Sequence, residues 1–339
     1  MMLPLPLRNW IFGHWIRPNE KLIRVPWVTL GDGVFLPKIG ADISRRFLKD
    51  FYIYRKNIKS PLEFSIGQFY PRSGYLLYYF FLFTWADSCK MLEKLLTSPE
   101  HSLIAEAFMR YIIEIDREID NQDGVKLLER NPSVIRSDPR LSRFRSQLLG
   151  RIAGASLPAD IKSNLTKELT DFEITCQEIC RKNSAEPIKT LQSVLVHKEN
   201  TVGALFEEWA SFLNLAYEVS PENHHHVSRI FWNTGMALQM LDDTLDVPID
   251  LENETDNVFL CIVKENKKEW IELKQYLQYL KTTPWKHLDT AWANQHTPET
   301  LSKIRVLGYG YLSNLKNQVH EPTNLIWVMD RMWVHAVGI

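Results

Sequence analysis

The chain has 339 residues, of which 45% are hydrophobic and 24% are charged, so its composition is that of a globular protein long enough to bury a substantial core. Its 40 basic residues almost balance its 41 acidic residues, and a formal net charge of −1 argues against a protein that neutralises many nucleic-acid phosphates. Only 14 glycines are present, which disfavours a β-sandwich or a glycine-rich nucleotide loop.

We expect neither a secretory signal in the N-terminal residues nor a membrane-spanning segment in the chain. Residues 1–60 mix proline, tryptophan and basic residues without a regular period, and we expect them to wrap around the core as short helices and loops. The most apolar stretch, Tyr75 to Trp85, is about half as long as the roughly 20 residues of a transmembrane helix. The four cysteines form no CxxC pair. We therefore expect a cytoplasmic protein without a membrane span or a nucleic-acid partner.

From residue 70 to 320, apolar residues recur at spacings of three and four, which is typical of amphipathic helices. The predicted helices cover residues 74–97, 102–121, 140–153, 158–183, 202–218, 224–246, 257–263, 267–281 and 298–317. No strand-like alternation lasts for more than four residues, and no linker divides the chain. The sequence predicts a single all-α domain over 1–339.

The predicted helix 102–121 ends in two carboxylates. Its apolar face, which includes Met109 and Ile112, continues into Asp116 and Asp120 at helical spacing. A pair of aspartates one turn apart is common on solvated helix faces. The pair therefore carries functional meaning only together with a second cluster.

The predicted helix 224–246 provides that second cluster. Along one face it carries, in order, Phe231, Gly235, Gln239, Asp242 and Asp246, and Asp243 lies beside Asp242. Like charges one turn apart repel each other, and a bound cation would remove that repulsion. Mg²⁺ binds one or two carboxylates together with waters and substrate phosphate oxygens. We expect the two clusters to face each other across an apolar cavity and to hold Mg²⁺.

These residues resemble the two aspartate-rich motifs of the class I isoprenoid synthase superfamily, specifically its trans-prenyltransferase branch. The segment Thr201-Val-Gly-Ala-Leu-Phe206 is similar to the KT-x-x-LF element of that branch, and Gly235–Asp246 is similar to its FQ-x-x-DD-x-x-D motif. The resemblance implies an all-α helical bundle around a central apolar cavity.

The resemblance also implies roles for individual residues. The expected catalytic residues are Asp116, Asp120, Asp242, Asp243 and Asp246, and the expected Mg²⁺ ligands are the same set without Asp243. The expected diphosphate-binding residues are Arg72, Lys198 and Gln239, where Lys198 lies one turn before the position of the family's lysine. The expected cavity residues are Phe108, Tyr111, Ile112, Leu205, Phe206, Phe231 and Gly235.

Two departures from the family pattern bear on the reaction. The first motif reads Asp116-Arg117-Glu118-Ile119-Asp120, and of the basic cluster that holds the isopentenyl acceptor only Arg72 is retained. These losses favour a terpene synthase that ionises a linear C15 or C20 prenyl diphosphate with Mg²⁺ and cyclises the carbocation. The alternatives are a trans-prenyltransferase with an unusual acceptor site and a non-catalytic regulatory partner subunit. The resemblance is compatible with a homodimer.

Other features receive ordinary structural interpretations. Consecutive histidines point about 100° apart on a helix, so His224-His225-His226 is expected to be a solvated helix start. The remaining histidines, including His287, lack the spacing of metal ligands. The acidic run 250–256 is predicted to be a loop after the second aspartate cluster and a candidate lid.

Overall fold

The structure is a computed structural model that describes residues 53–54, 74–119, 138–179, 190–280, 287–318, 329 and 333. All regular elements within these ranges are helices, so the prediction of an all-α fold is confirmed. None of the helices in the described ranges is long and apolar enough to cross a membrane. The predicted wrap over 1–60 lies outside the described residues except for 53–54.

The chain forms two compact units, each built from separated segments. Unit 1 comprises Met1–Arg181 and Glu208–Ser228, and unit 2 comprises Lys182–Glu207 and Arg229–Ile339. The chain therefore passes between the units three times.

Unit 1 begins with five described helices. These are α1 (Gly74–Ser88), α2 (Leu92–Thr97), α3 (Pro99–Ile119), α4 (Pro139–Gly154) and α5 (Ala159–Ile179). The predicted helix 74–97 is in fact two helices, because Lys90 adopts a left-handed backbone conformation with φ of 61° and ends the first. α4 starts where Asp138 accepts hydrogen bonds from the N–H groups of Arg140 and Leu141, as expected of an N-cap aspartate followed by proline.

The remaining described elements follow in chain order. They are α6 (Leu191–Lys198), a π-helical turn (Glu199–Gly203), α7 (Ala204–Ala216), α8 (Pro221–Leu245), α9 (Val247–Asn253), α10 (Val258–Glu265), α11 (Lys267–Leu280), α12 (Thr290–His296) and α13 (Pro298–Gln318). The division between the units falls within α7 and within α8.

The prediction of a loop over 250–256 is wrong for its first part. Residues 247–253 form α9, and Pro248 lies in the first turn, where a proline costs no helical hydrogen bond. α9 ends at Glu254, whose φ of 57° is left-handed. Asn257 then caps α10 by accepting a hydrogen bond from the N–H of Leu260.

Within unit 2, the start of α7 packs closely against α8 because two glycines leave room for aromatic rings. A Cβ atom at Gly235 would lie 2.7 Å from Cδ2 of Phe206. A Cβ atom at Gly203 would lie 2.6 Å from Nε1 of Trp232. Gly203 at the end of the π-helical turn and Phe206 in α7 thus face Trp232 and Gly235 of α8, and these close contacts fix the register between the two segments.

Candidate metal and diphosphate site

The second aspartate cluster lies at the C-terminal end of α8, and its three carboxylates have different environments. Asp242 is exposed, Asp243 is completely buried, and the Asp246 side chain is 29% exposed. Because Asp242 and Asp246 are four residues apart, they lie on the same helix face. The solvent-accessible part of the cluster is therefore this pair.

Asp243 is held by residues of three helices of unit 2. Its Oδ1 accepts a hydrogen bond from Nε2 of Gln239 at 2.5 Å and pairs with Nζ of Lys198 at 3.2 Å. Its Oδ2 accepts a hydrogen bond from the N–H of Val258, the first residue of α10, at 2.7 Å. The carboxylate thus joins α6, α8 and α10, and Gln239 and Lys198, both expected to bind diphosphate, are directed at it.

Lys198 is the last residue of α6, immediately before the π-helical turn, and its side chain is 14% exposed. Burial lowers the pKa of Lys198, but the carboxylates of Asp243, Asp250 and Asp242 outweigh this effect and raise the pKa above its usual value. Lys198 is therefore a charged group that partly neutralises the acidic end of α8.

The surroundings of Asp242 are more negative than Lys198 alone compensates. Although solvent reaches its side chain, nearby protein atoms desolvate the carboxylate, and this desolvation is the largest cause of a raised pKa. The charges of Asp246 and Asp243 raise the pKa further, and Lys198 opposes them. An additional cation at this face would be stabilised by the same charges.

Asp246 is contacted by a residue far along the chain. Nδ1 of His287 lies 2.7 Å from Oδ1 of Asp246. The backbone next to this histidine is fixed as well, because the N–H of Leu288 donates to the carbonyl of Leu245 at 2.8 Å. No spacing rule in the sequence connects residues that are 41 positions apart.

Asp250 and Asn257 are further polar residues at this end of unit 2 that the sequence analysis does not single out. Nδ2 of Asn257 donates to the carbonyl of Asp243 and to Oδ2 of Asp250, at 2.7 Å each. Asp250 also accepts a hydrogen bond from the hydroxyl of Thr255 at 2.7 Å. The turn after α9 is thereby tied to the end of α8. The spacings from Asp250 to Thr255 and to Asn257, just after the acidic run, are the only sequence signal that could have indicated these bonds.

The first aspartate cluster is described only in part. Asp116 lies in α3, but its side chain is outside the described set, as are Asp120 and Arg72 entirely. The expectation that this cluster faces the second one therefore stays a prediction.

The residues expected to line a cavity are placed as follows. Phe108, Tyr111 and Phe231 are completely buried. In unit 1, the Phe108 ring stacks on Phe212 with 3.8 Å between the ring centroids. The hydroxyl of Tyr111 donates to the buried carboxylate of Glu173 at 2.7 Å. Tyr111 thus has a polar partner that periodicity alone does not indicate.

The other expected cavity residues differ in how far they are buried. Ile112 is 7% exposed, Leu205 and Phe206 are half-buried, and Gly235 is covered by the Phe206 ring. Their assignment to a cavity wall stays a prediction.

The described residues fit a Mg²⁺ site that depends on substrate. Within the described ranges, no group of three or more His, Cys, Asp or Glu side chains is arranged to hold a metal ion. Mg²⁺ requires only one or two protein carboxylates when phosphate oxygens and waters complete its coordination. Asp242 and Asp246, on one face and with excess negative charge, meet that requirement.

Comparison with known proteins gives two similar solved structures. No family model and no curated protein matches the chain. Geranylgeranyl pyrophosphate synthetase from Pyrococcus horikoshii Ot3 matches with a TM-score of 0.48 and 11% identity over 89% of this chain and 100% of that chain. Geranylgeranyl pyrophosphate synthetase from the archaeon Geoglobus acetivorans matches with a TM-score of 0.40 and 14% identity over 87% of this chain and 98% of that chain. Likeness at this level assigns no activity and no site residue.

Proposed function

We propose that this chain is a class I isoprenoid synthase that binds Mg²⁺ and a linear C15 or C20 prenyl diphosphate, ionises it and cyclises the carbocation. The observation that carries the proposal is the carboxylate pair at the end of α8. Asp242 and Asp246 are accessible on one face, while Asp243 between them is withdrawn and paired with Lys198. This arrangement supports a cation site whose ligands on α8 are already in place before the cation binds.

The proposed roles follow from these positions. When bound, Mg²⁺ would neutralise the charge that develops as diphosphate leaves the allylic carbon. Asp242 and Asp246 are the proposed ligands on α8, and Asp116 and Asp120 are proposed as the second ligand pair. Asp243 holds the last turn of α8 in place, so that the two accessible carboxylates need little rearrangement on binding.

The fate of the cation separates cyclisation from chain elongation. Elongation requires a second diphosphate in the same site, and several cations are needed to hold it. Lys198, the candidate replacement for the family's lysine, is already paired with Asp243 at 3.2 Å. This pairing supports cyclisation, and elongation at an unusual acceptor site is the alternative.

Incubation with C15 and C20 diphosphates and Mg²⁺, with and without labelled isopentenyl diphosphate, tests the proposal. We expect diphosphate release and a cyclic hydrocarbon or alcohol from the allylic substrate alone, with no label in the product. Incorporation of label at a rate comparable to diphosphate release would establish elongation instead. Absence of diphosphate release under all conditions would favour the regulatory subunit.

The carboxylate pair is tested by substitution. Asp242→Asn is expected to lower the rate of diphosphate release at least 100-fold, because one charged ligand of the cation is removed. Glu252→Gln removes the same charge from an exposed position on α9 and should leave the rate within twofold. Equal rates for both variants and the parent would exclude Asp242 from the site.

A further inference from the structure

The contact between Asp246 and His287 assigns a role to a residue that the motifs do not include. His287 precedes α12 in the chain, and its Nδ1 atom lies 2.7 Å from Oδ1 of Asp246. The two side chains are 35% and 29% exposed, so both lie at the edge of the protein surface rather than in its core. Because His287 contacts the Asp246 carboxylate directly, it restricts the orientation of that carboxylate.

The position of the histidine is set by backbone contacts of the two residues that follow it. The N–H of Leu288 donates to the carbonyl of Leu245 at 2.8 Å, and this carbonyl belongs to the last residue of α8, where helical partners are missing. The N–H of Asp289 donates to the hydroxyl of Tyr276 at 3.3 Å, and Asp289 caps α12. The segment that carries His287 is thus anchored across the end of α8.

The three aspartates of the cluster are held to different degrees. Within the described ranges, the Asp243 side chain has three partners, and the Asp242 side chain has only a distant contact with Nε2 of Gln239 at 3.5 Å. For the Asp246 side chain, His287 is the one hydrogen-bond partner among the residues that the structure describes, and it contacts Oδ1. Within the same ranges, Oδ2 has no partner and remains available for a ligand.

We propose that His287 is a positioning residue: it holds the Asp246 carboxylate through Oδ1 so that Oδ2 is presented to Mg²⁺. The proposal rests on the proposed function, because it takes Asp246 as a metal ligand. Residues that hydrogen-bond a metal ligand fix its orientation, and their removal weakens metal binding by about 10–100-fold.

Direct metal binding provides the test. The binding of Mg²⁺ in the presence of inorganic diphosphate is measured by calorimetry, and Mn²⁺ binding by electron paramagnetic resonance, both without prenyl substrate. We expect His287→Ala to weaken binding by about tenfold. His287→Asn retains an N–H donor near the position of Nδ1 and is expected to restore the affinity to within about threefold of the parent.

The matched control is His296→Ala. Nδ1 of His296 lies 3.3 Å from Oε2 of Glu272, so this variant also breaks a histidine–carboxylate contact within unit 2, but between α12 and α11. It is expected to leave metal affinity unchanged. Circular dichroism spectra of all three variants establish that the helices remain folded.

The outcomes separate the inference from the function on which it rests. If the parent binds Mg²⁺ and His287→Ala binds it equally well, the positioning role is wrong and the proposed function stands. If His287→Asn is as weak as His287→Ala, the hydrogen bond is not the cause and the positioning role is also wrong. If the parent binds neither metal with diphosphate, both the inference and the proposed function are overturned.

Discussion

Individual carboxylates at the end of α8 differ in what they contribute to stability. Asp243 is buried and joined to Lys198, whereas Asp242 is exposed and experiences the like charges of Asp246 and Asp243. A buried charge whose partner is removed is strongly unfavourable, whereas the removal of an exposed charge from a like-charged cluster relieves repulsion. Adjacent aspartates should therefore respond in opposite directions to the same substitution.

Asp243→Asn is expected to lower the free energy of unfolding by about 3–5 kcal/mol, because Lys198 is left without its charged partner. Asp242→Asn is expected to raise it by about 0.2–0.5 kcal/mol, because one like-charge interaction is removed. Urea unfolding at neutral pH measures both. Destabilisation of equal size in the two variants would contradict the different roles assigned to these neighbours.

In unit 1, a histidine makes stability depend on pH. Burial lowers the pKa of His101, the charge of Lys94 lowers it further, and Glu218 opposes both. Because the folded state binds the proton less readily than the unfolded state, the free energy of unfolding is highest above the usual histidine pKa of about 6.5. It falls as the pH drops below that value and levels off below the folded-state pKa.

Urea unfolding between pH 5 and 8 measures this dependence. His101→Gln is expected to flatten it, because the group that titrates is removed. His225→Gln changes an exposed histidine on α8 and serves as the control, which should keep the slope of the parent. An unchanged slope in His101→Gln would assign the effect to other groups.

At the scale of helices, the contact between α7 and α8 depends on a glycine, because a side chain at that position would overlap an aromatic ring. Alanine normally stabilises a helix relative to glycine by about 0.5–1 kcal/mol. At Gly235 a Cβ atom would lie 2.7 Å from the Phe206 ring, which is too close, and the ring packs against the helix backbone there. Steric overlap therefore decides whether the substitution raises or lowers the free energy of unfolding.

Gly235→Ala is expected to lower the free energy of unfolding by about 1–3 kcal/mol. The double variant Gly235→Ala with Phe206→Leu should recover part of this loss, because the smaller side chain makes room for the methyl group. A double-mutant cycle measures the coupling. Additive effects of the two substitutions would show that the two positions do not contact each other.

The long described helices could be predicted from the sequence, and of the described helices with seven or eight residues (α6, α9, α10 and α12) only α10 was predicted. Nine predicted segments correspond to described helices because apolar spacing over many residues reports the buried face. α9 and α12 have seven residues each and provide too few turns for a period to be visible. The break at Lys90 could not be predicted, because a lysine is rarely found with positive φ.

At the candidate site, the shared helix face of Asp242 and Asp246 could be predicted from the sequence, and the contacts around it could not. The spacing of Asp242 and Asp246 places them on one face, as the sequence indicates. The burial of Asp243 depends on Val258 and Lys198, which come from other helices. The contact with His287 spans 41 residues and depends on how the chain returns to the end of α8. Such contacts follow from tertiary structure and leave no periodic signal.

For the whole molecule, the three passages between the units make unit 2 discontinuous. The segment Lys182–Glu207 contributes Lys198, Gly203 and Phe206 to contacts with α8, although unit 1 residues separate it from the rest of unit 2. The C-terminal part of the chain therefore lacks the partners of these α8 residues when it is isolated.

A fragment containing residues 229–339 is expected to melt without cooperativity, because Asp243 would be buried without Lys198 or remain solvated. A fragment containing residues 182–339 includes both segments of unit 2 and should show a sigmoidal transition. Thermal unfolding followed by circular dichroism distinguishes them. A cooperative transition in the shorter fragment would contradict the role of the separated segment.

The π-helical turn between Lys198 and Ala204 changes the phase of the helix that contains it. A π-helical turn holds one residue more than an α-helical turn, so positions on its two sides are offset by one residue, or about 100°. Lys198 contacts Asp243, and Phe206 contacts Gly235. Lys198 and Phe206 are eight residues apart in the chain, and so are Gly235 and Asp243. Deletion of one residue within the turn would return the helix to the ordinary phase, so that only one of the two contacts could form at a time. The extra residue thus lets the polar contact and the aromatic contact form at the same time, and a shift of a single position is enough to separate them.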